Sequence, residues 1–239
     1  MKAAELVADE IGASIASGQL RPGERLPSQP ELAARYDVSA PTLREALRIL
    51  ETDSLVQVRR GVKGGTFVSA PNLSAMSRQL GLYLQMHGAT IADLYAARLA
   101  LEPPAVRLLA ERFAPEIRDE LLDALNDLRS ALDDREALAA PAARFHALLL
   151  ERCGNVTFAA LGGVIGSIFE KHIATAVRSA KDSEVRALAE RTITRHLKLI
   201  DLLSSGDGAA SERFWRRTLE YQLQFLEEHG ASAALVEFY

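Results

Sequence analysis

Arg44 and Arg48 stand four residues apart, with Leu43, Ala46, Leu47 and Leu50 around them at i, i+3, i+4 and i+7. On a helix that spacing makes two faces. One is apolar and turned to a core; the other carries Thr42, Arg44, Glu45 and Arg48 outward. Two guanidiniums projecting together suit the major groove of DNA, where arginine grips guanine by two hydrogen bonds. A second basic group, Arg59, Arg60 and Lys63, lies beside Gly61, Gly64 and Gly65. Gly64 and Gly65 would let the backbone approach phosphates closely. Farther along, Arg98 interrupts an apolar helical stretch, among Leu94, Ala97, Leu101 and Ala105, with Glu102 one turn on.

The elements that must hold the first two groups can be read from the punctuation. Apolar Leu6, Val7, Ile11 and Ile15 predict a first helix over 3–17, closed by Gly18. Gln19 to Gly23 is a turn built on Pro22-Gly23. Ser28 with Glu31 forms a capping box for a short second helix ending near Tyr36, and Pro30 falls in its first turn. Asp37-Val38 makes a turn. Ser39 then caps a third helix to about Thr52, which completes a helix-turn-helix. Leu55–Arg59 and Thr66–Ser69 read as two strands joined by the glycine-rich loop, a wing. Each piece alone could belong to an ordinary small domain with solvated arginines. Their order within 70 residues points to a DNA-binding winged helix, with Ser28, Ser39, Thr42, Arg44, Arg48, Arg59, Arg60, Lys63, Gly64 and Gly65 as its DNA-contacting set.

The chain has 239 residues and a net charge of −4, which looks unfavourable for a DNA binder. Residues 1–70 nevertheless balance nine Lys/Arg against nine Asp/Glu, and the deficit lies in the remainder. Which face holds the basic groups matters more than the sum. One cysteine, Cys153, excludes an intramolecular disulfide and a cysteine metal cluster. The acidic start, with Glu5, Asp9 and Glu10, does not read as a signal peptide, and no stretch is expected to approach a membrane span. A cytoplasmic protein with no membrane partner is the expectation.

Near residue 70 the pattern changes. Ala70-Pro71-Asn72 breaks it, and amphipathic helices follow, predicted over about 74–87, 90–113, 115–133, 136–152, 156–180, 183–204 and 208–229. The predicted fold is therefore mainly α: an N-terminal winged helix-turn-helix with a β-hairpin wing, then an antiparallel bundle of about seven helices. The expected division is 1–70 for DNA binding, 71–75 as linker, 76–230 as an effector-binding and dimerisation domain, and 231–239 as a tail.

Specific segments also resemble a known family. Pro22-Gly23-Glu24-Arg25-Leu26-Pro27-Ser28, Glu31-Leu32-Ala33, Val38-Ser39, Leu43-Arg44-Glu45-Ala46-Leu47 and Gly64-Gly65-Thr66-Phe67-Val68 resemble the GntR family of winged-helix regulators. Arg98-Leu99-Ala100-Leu101-Glu102-Pro103, Phe145-His146, Gly154-Asn155 and Arg195-His196 resemble its FadR-type (FCD) effector domain. The resemblance covers residues 3 to about 228. It implies a DNA-binding transcription regulator, read as a repressor and not an enzyme. It also implies a homodimer on a near-palindromic double-stranded operator, and a small-molecule effector, a carboxylate or an acyl compound, in the bundle.

Two departures stand out. Where the family commonly carries operator-touching arginines, this chain has Pro30 and Ala40, and only Arg44 of that set of three is kept. The expected consequence is a different operator or weaker sequence reading. Many members also hold a divalent metal through an aspartate and three histidines. Here His146 and His196 remain, while the aspartate position is Ala142 and the third histidine falls near Thr218. Two imidazoles are an incomplete set, so no cofactor is required and His146 and His196 are kept as metal candidates alongside a pocket-lining role. The effector-site set is Tyr95, Arg98, His146, His196 and Thr218. For Arg98 the two readings are a salt bridge to Glu102 and a clamp on an effector carboxylate. Ala142, Gly162, Gly163 and Gly166 either enlarge a cavity or allow close helix packing. His87, His172 and His229 are assigned no role. A metal-assisted enzyme using His146, His196 and Glu170, and a weakly specific DNA binder whose bundle only dimerises, are the competing readings.

Overall fold

The computed structural model describes residues 2–61, 64–69, 73–179, 181–228 and 230–237. It divides into two units, Met1–Asn72 and Leu73–Tyr239.

In the first unit, α1 (Ala3–Ala16), α2 (Gln29–Arg35) and α3 (Ala40–Thr52) precede a two-stranded antiparallel sheet, β1 (Val56–Arg59) and β2 (Gly65–Val68). Leu43, Ala46, Leu47 and Leu50 are buried against Val7, Ala8 and Ile11 of α1, as the helical spacing requires. Ser28 and Glu31 form the expected capping box, and the Ser39 hydroxyl accepts from the Thr42 amide at 3.3 Å. The turn between α2 and α3 places Asp37 at φ 50°, a left-handed conformation that aspartate tolerates better than most side chains. The sheet pairs Val56 with Val68 and Arg59 with Gly65. Residues 23–26, read above only up to their turn, also pair with β2: the Leu26 amide donates to Thr66 O and the Val68 amide to Glu24 O, each at 2.8 Å. The wing thus has a backbone partner on both sides of β2.

The second unit holds seven helices among its described residues: α4 (Leu73–Met86), α5 (Ile91–Ala110), α6 (Pro115–Ser130), α7 (Ala139–Glu151), α8 (Val156–Ser179), α9 (Asp182–Ser204) and α10 (Gly208–Glu228). Several boundaries move: α5 stops at Ala110 and α6 at Ser130, each three residues before the expected end. The segment 73–75, expected in the linker, is the first turn of α4. The segment 136–138, expected in α7, is held in a turn by Asp134 Oδ1, which accepts from the Glu136 and Ala137 amides.

Around Leu109, Leu121, Leu125 and Leu149 the bundle is apolar, and Trp215 and Phe145 join this core from its polar side. Inside α5, Pro103 and Pro104 lack the amides that would bond Leu99 and Ala100. Arg216 Nη1 reaches across from α10 to donate to Leu99 O at 3.4 Å, so one freed carbonyl finds a replacement donor. The C-terminal segment is not a loose tail. The Ile91 and Ala92 amides, free donors at the start of α5, are taken by Ala234 O and Ser232 O, and Val236 is buried against Ile91.

One expectation about membranes needs correcting. Val156–Arg178 in α8 is long and apolar enough to cross a membrane by length and composition, with mean hydropathy 1.2. Glu170, Lys171 and Arg178 break the run at the sequence level, which hid the apolar length of the rest. In the fold this helix packs on α7 and α4.

Candidate nucleic-acid interface and core polar site

The recognition face is built as the spacing of α3 dictates. Arg44 and Arg48 are exposed on the side away from the buried leucines. Arg48 lies 3.6 Å from Glu45, and both are exposed, so the pair is screened by water and leaves the guanidinium available. Thr42 is half-buried and its hydroxyl bonds the Ser39 hydroxyl at 2.8 Å. Ser28 spends its hydroxyl on Glu31 at 2.7 Å. These serines therefore fix the helix starts rather than offering idle hydroxyls. Ala40 and Pro41 open α3 where an arginine was expected, and both are exposed.

On the wing, Arg59 lies over the Phe67 ring at 4.6 Å and Arg60 is exposed. Lys63 lies outside the described residues. Gly64 sits so close to its own loop that a Cβ would meet Arg59 O at 2.5 Å and Gly61 O at 2.7 Å. Sequence reading missed Arg25. Its side chain lies beside Gly65, where a Cβ would meet its Nε at 2.7 Å, so a further exposed guanidinium joins Arg59 at the wing. Its place in the Pro22–Ser28 segment was the available signal.

The other site is a buried polar network in the bundle. Arg98 and Glu102 are each 2% exposed, and Arg98 Nε donates to Glu102 Oε1 at 2.6 Å. Trp215 Nε1 donates to Glu102 Oε2 at 2.8 Å, and His146 Nδ1 lies 2.9 Å from the same oxygen. Arg98 Nη2 lies 2.6 Å from Nδ1 and 3.2 Å from Nε2 of His146. Phe169 covers the guanidinium at 3.8 Å and Tyr95 lies 4.9 Å from it. Arg98 thus makes the salt bridge that its spacing to Glu102 offered.

Burial by itself would raise the Glu102 carboxyl, but the Arg98 charge and the His146 ring outweigh it and hold it at about 2. Burial pushes His146 below the usual histidine range, and the Arg98 charge adds to that. His196, wholly buried, is pushed well below it by burial and then by His146. Both rings are neutral near pH 7.

His196 stacks on Phe145 at 4.1 Å and lies edge-on to His146 at 5.2 Å. Among the described residues, both His196 ring nitrogens and Arg98 Nη1 are buried without a hydrogen-bond partner. Thr218 is buried, donates to Phe214 O, and accepts from Arg195 Nη1 at 3.5 Å. It stands apart from the Arg98 bonds.

Beside Arg98 a cavity of about 10 Å³ is walled by Leu101, Leu150, Ile165 and Phe169, room for about one water molecule. The glycines of α8 divide their roles. A Cβ at Gly162 would lie 2.5 Å from Leu150, so that glycine serves close packing of α7 on α8; one at Gly166 would meet nothing within 4 Å. Ala142 packs near Leu128 and Leu138. His172 is half-buried near Phe169, His87 stacks on Tyr83, and His229 lies outside the described residues. No group of three or more His, Cys, Asp or Glu able to hold a metal occurs among the described residues. The donor set present does not fit the family's metal. Glu102 is spent on Arg98, Trp215 and His146, and the aspartate place is filled by an alanine.

Comparisons with known proteins agree with this division. Residues 3–68 match the family of bacterial regulatory proteins called gntR, and residues 93–221, more than half of the chain, match the FCD domain. The chain is 29% identical over 221 residues to the HTH-type transcriptional repressor NanR of Cronobacter sakazakii, covering 89% of this chain and 80% of that protein. It is 33% identical over 163 residues to the protein of the same name from Escherichia coli O1:K1 / APEC, covering 67% and 61%. The fold is shared with a GntR structure from Streptococcus agalactiae, with TM-score 0.69, 24% identity, and coverage of 91% of this chain and 98% of that one. A helix-turn-helix with an exposed arginine face, a wing, and a helical domain matched over most of its length make this chain a member of the GntR family, FadR type: an effector-controlled DNA-binding transcription regulator and not an enzyme.

Proposed function

We propose that the protein is a repressor that binds a near-palindromic operator as a homodimer in the bacterial cytoplasm, one α3 helix to each half-site. The observation that carries this is the exposed pair Arg44 and Arg48 on a helix whose opposite face is wholly buried. Arg44 reads base edges, while Arg48, Arg25, Arg59 and Arg60 hold phosphates. With Ala40 and Pro30 in place of arginines, Arg44 bears a large share of the discrimination. The relatives' name as repressors supports the sign of the control. A small-molecule effector, a carboxylate or an acyl compound, acts in the bundle core around Arg98, His146 and His196, and Tyr95 closes one side. It works through its differential affinity for the DNA-competent and DNA-incompetent arrangements. The dimer covers apolar side chains that α4 leaves exposed, Met76, Tyr83 and Met86.

Titration against the DNA flanking the protein's own gene tests the reading. A specific complex is expected, and Arg44→Ala should weaken it by about 1–3 kcal/mol, roughly 5- to 150-fold, while non-specific binding changes far less. Unchanged specificity in that variant would refute the docking.

A further inference from the structure

The first turn of α3 presents a surface that its arginines do not account for. Ala40, Arg44 and Arg48 recur at i, i+4 and i+8, so they form one exposed stripe along the helix. Pro41 is exposed beside Ala40. The stripe is apolar at its N-terminal end and cationic from Arg44 onward. Core packing does not explain Ala40 and Pro41, since the buried face of α3 is made by Leu43, Ala46, Leu47 and Leu50.

The other side chains of this turn are already engaged. The Ser39 and Thr42 hydroxyls lie 2.8 Å apart, and the Thr42 amide donates to Ser39 Oγ at 3.3 Å. Pro41 has no amide hydrogen. The outward groups are thus a methyl and a pyrrolidine ring, with no side-chain donor or acceptor. In a helix-turn-helix the N-terminal residues of the recognition helix meet base edges in the major groove. Those edges carry donors and acceptors, and thymine alone adds an apolar group, its C5 methyl. An apolar side chain pressed on another edge strips water from a polar group and returns no hydrogen bond.

We propose that Ala40, with the Pro41 ring beside it, reads a thymine methyl in the half-site; this rests on the reading of α3 as the helix docked in the major groove. Four helical residues rise about 6 Å and successive base pairs about 3.4 Å, so the thymine lies about one or two base pairs from the guanine gripped by Arg44. Ala40 is a specificity-determining residue, and its apolar readout adds to the hydrogen bonds of Arg44.

The full-length protein is titrated with the duplex flanking its own gene. The half-site guanine is the one whose replacement no longer matters in Arg44→Ala. Each thymine is then replaced singly by deoxyuridine, which removes the C5 methyl and keeps the base pairing. A thymine within about two base pairs of that guanine should lose about fourfold in affinity, the worth of one buried methyl. Ala40→Gly should bind the thymine and deoxyuridine duplexes equally and keep its preference for the guanine. A specific complex that depends on Arg44 but contains no responsive thymine there would overturn the thymine readout and leave the docking standing. Absence of a specific complex, or specificity unchanged in Arg44→Ala, would overturn the docking as well. A deoxyuridine effect that persists in Ala40→Gly would overturn the role of Ala40, because the methyl would then act through DNA shape or another side chain. If Ala40→Gly does not fold, Ala40→Ser replaces it: a hydroxyl on the same carbon should shrink the fourfold preference, and an undiminished preference would overturn the role of Ala40.

Discussion

A guanidinium on an apolar helix needs a counter-charge, and Arg98 takes it from its own chain. The network around it is costly in one place. His196 is fully buried and stacked between aromatic rings, with both nitrogens unbonded. Leaving such groups unmatched costs about 1–3 kcal/mol. His196→Leu should therefore raise the stability of the unliganded protein by about 1 kcal/mol, read from chemical denaturation. The pH dependence follows the same residues. His146 and His196 sit below 6.5 when folded, so the unfolded chain binds protons first as pH falls. Stability is then lost as pH drops below about 6.5. Glu102, held at about 2, adds its own loss between its ordinary value of 4.5 and 2. The fall in melting temperature between pH 7 and 5 should be smaller in His196→Leu. An equal fall would mean that the ring does not resist protonation.

At the scale of elements, α5 is the helix that most depends on others. Its start carries a Thr90–Asp93 capping box, but the Ile91 and Ala92 amides are met by Ala234 and Ser232, and the carbonyl freed by Pro103 is met by Arg216 of α10. Ending the chain after Glu228 removes the acceptors of the Ile91 and Ala92 amides and the buried Val236 side chain. Those losses add to about 2–4 kcal/mol. The truncated protein should unfold that much more easily, with faster hydrogen exchange at Ile91 and Ala92. Unaltered exchange there would show that the segment contributes nothing to the helix start. In the winged helix the helix starts rest on local residues alone, Ser28 with Glu31 for α2 and Ser39 for α3. The 23–26 segment is the exception, because it adds to β2 from outside the hairpin.

At the scale of the whole molecule, the proposed dimer is the open quantity. Tyr83 and Met86 of α4 are 58% and 76% exposed, and large apolar groups clustered at a surface mark interaction sites. Replacing both Met76 and Met86 by Glu should shift the protein from dimer to monomer in sedimentation velocity. Operator binding should weaken with it, because two half-sites are then no longer held together. A dimer unmoved by the two charges would place the interface elsewhere.

The sequence by itself determined the helices, the caps, the wing and the outward arginine face. Each rests on residues within a turn or two of one another, and local spacing decides which face is apolar. It also carried the family resemblance and the Arg98–Glu102 spacing. It left two readings of Arg98 open, and the tertiary structure supplies the salt bridge together with its distant partners. Trp215 and His146, which hold Glu102, lie 113 and 44 residues from it. The same holds for the replacement donor Arg216, for the C-terminal segment on α5 and for the division of labour among the α8 glycines. Each is a contact between groups far apart in the chain, and no periodicity along one helix specifies which distant side chain will face it.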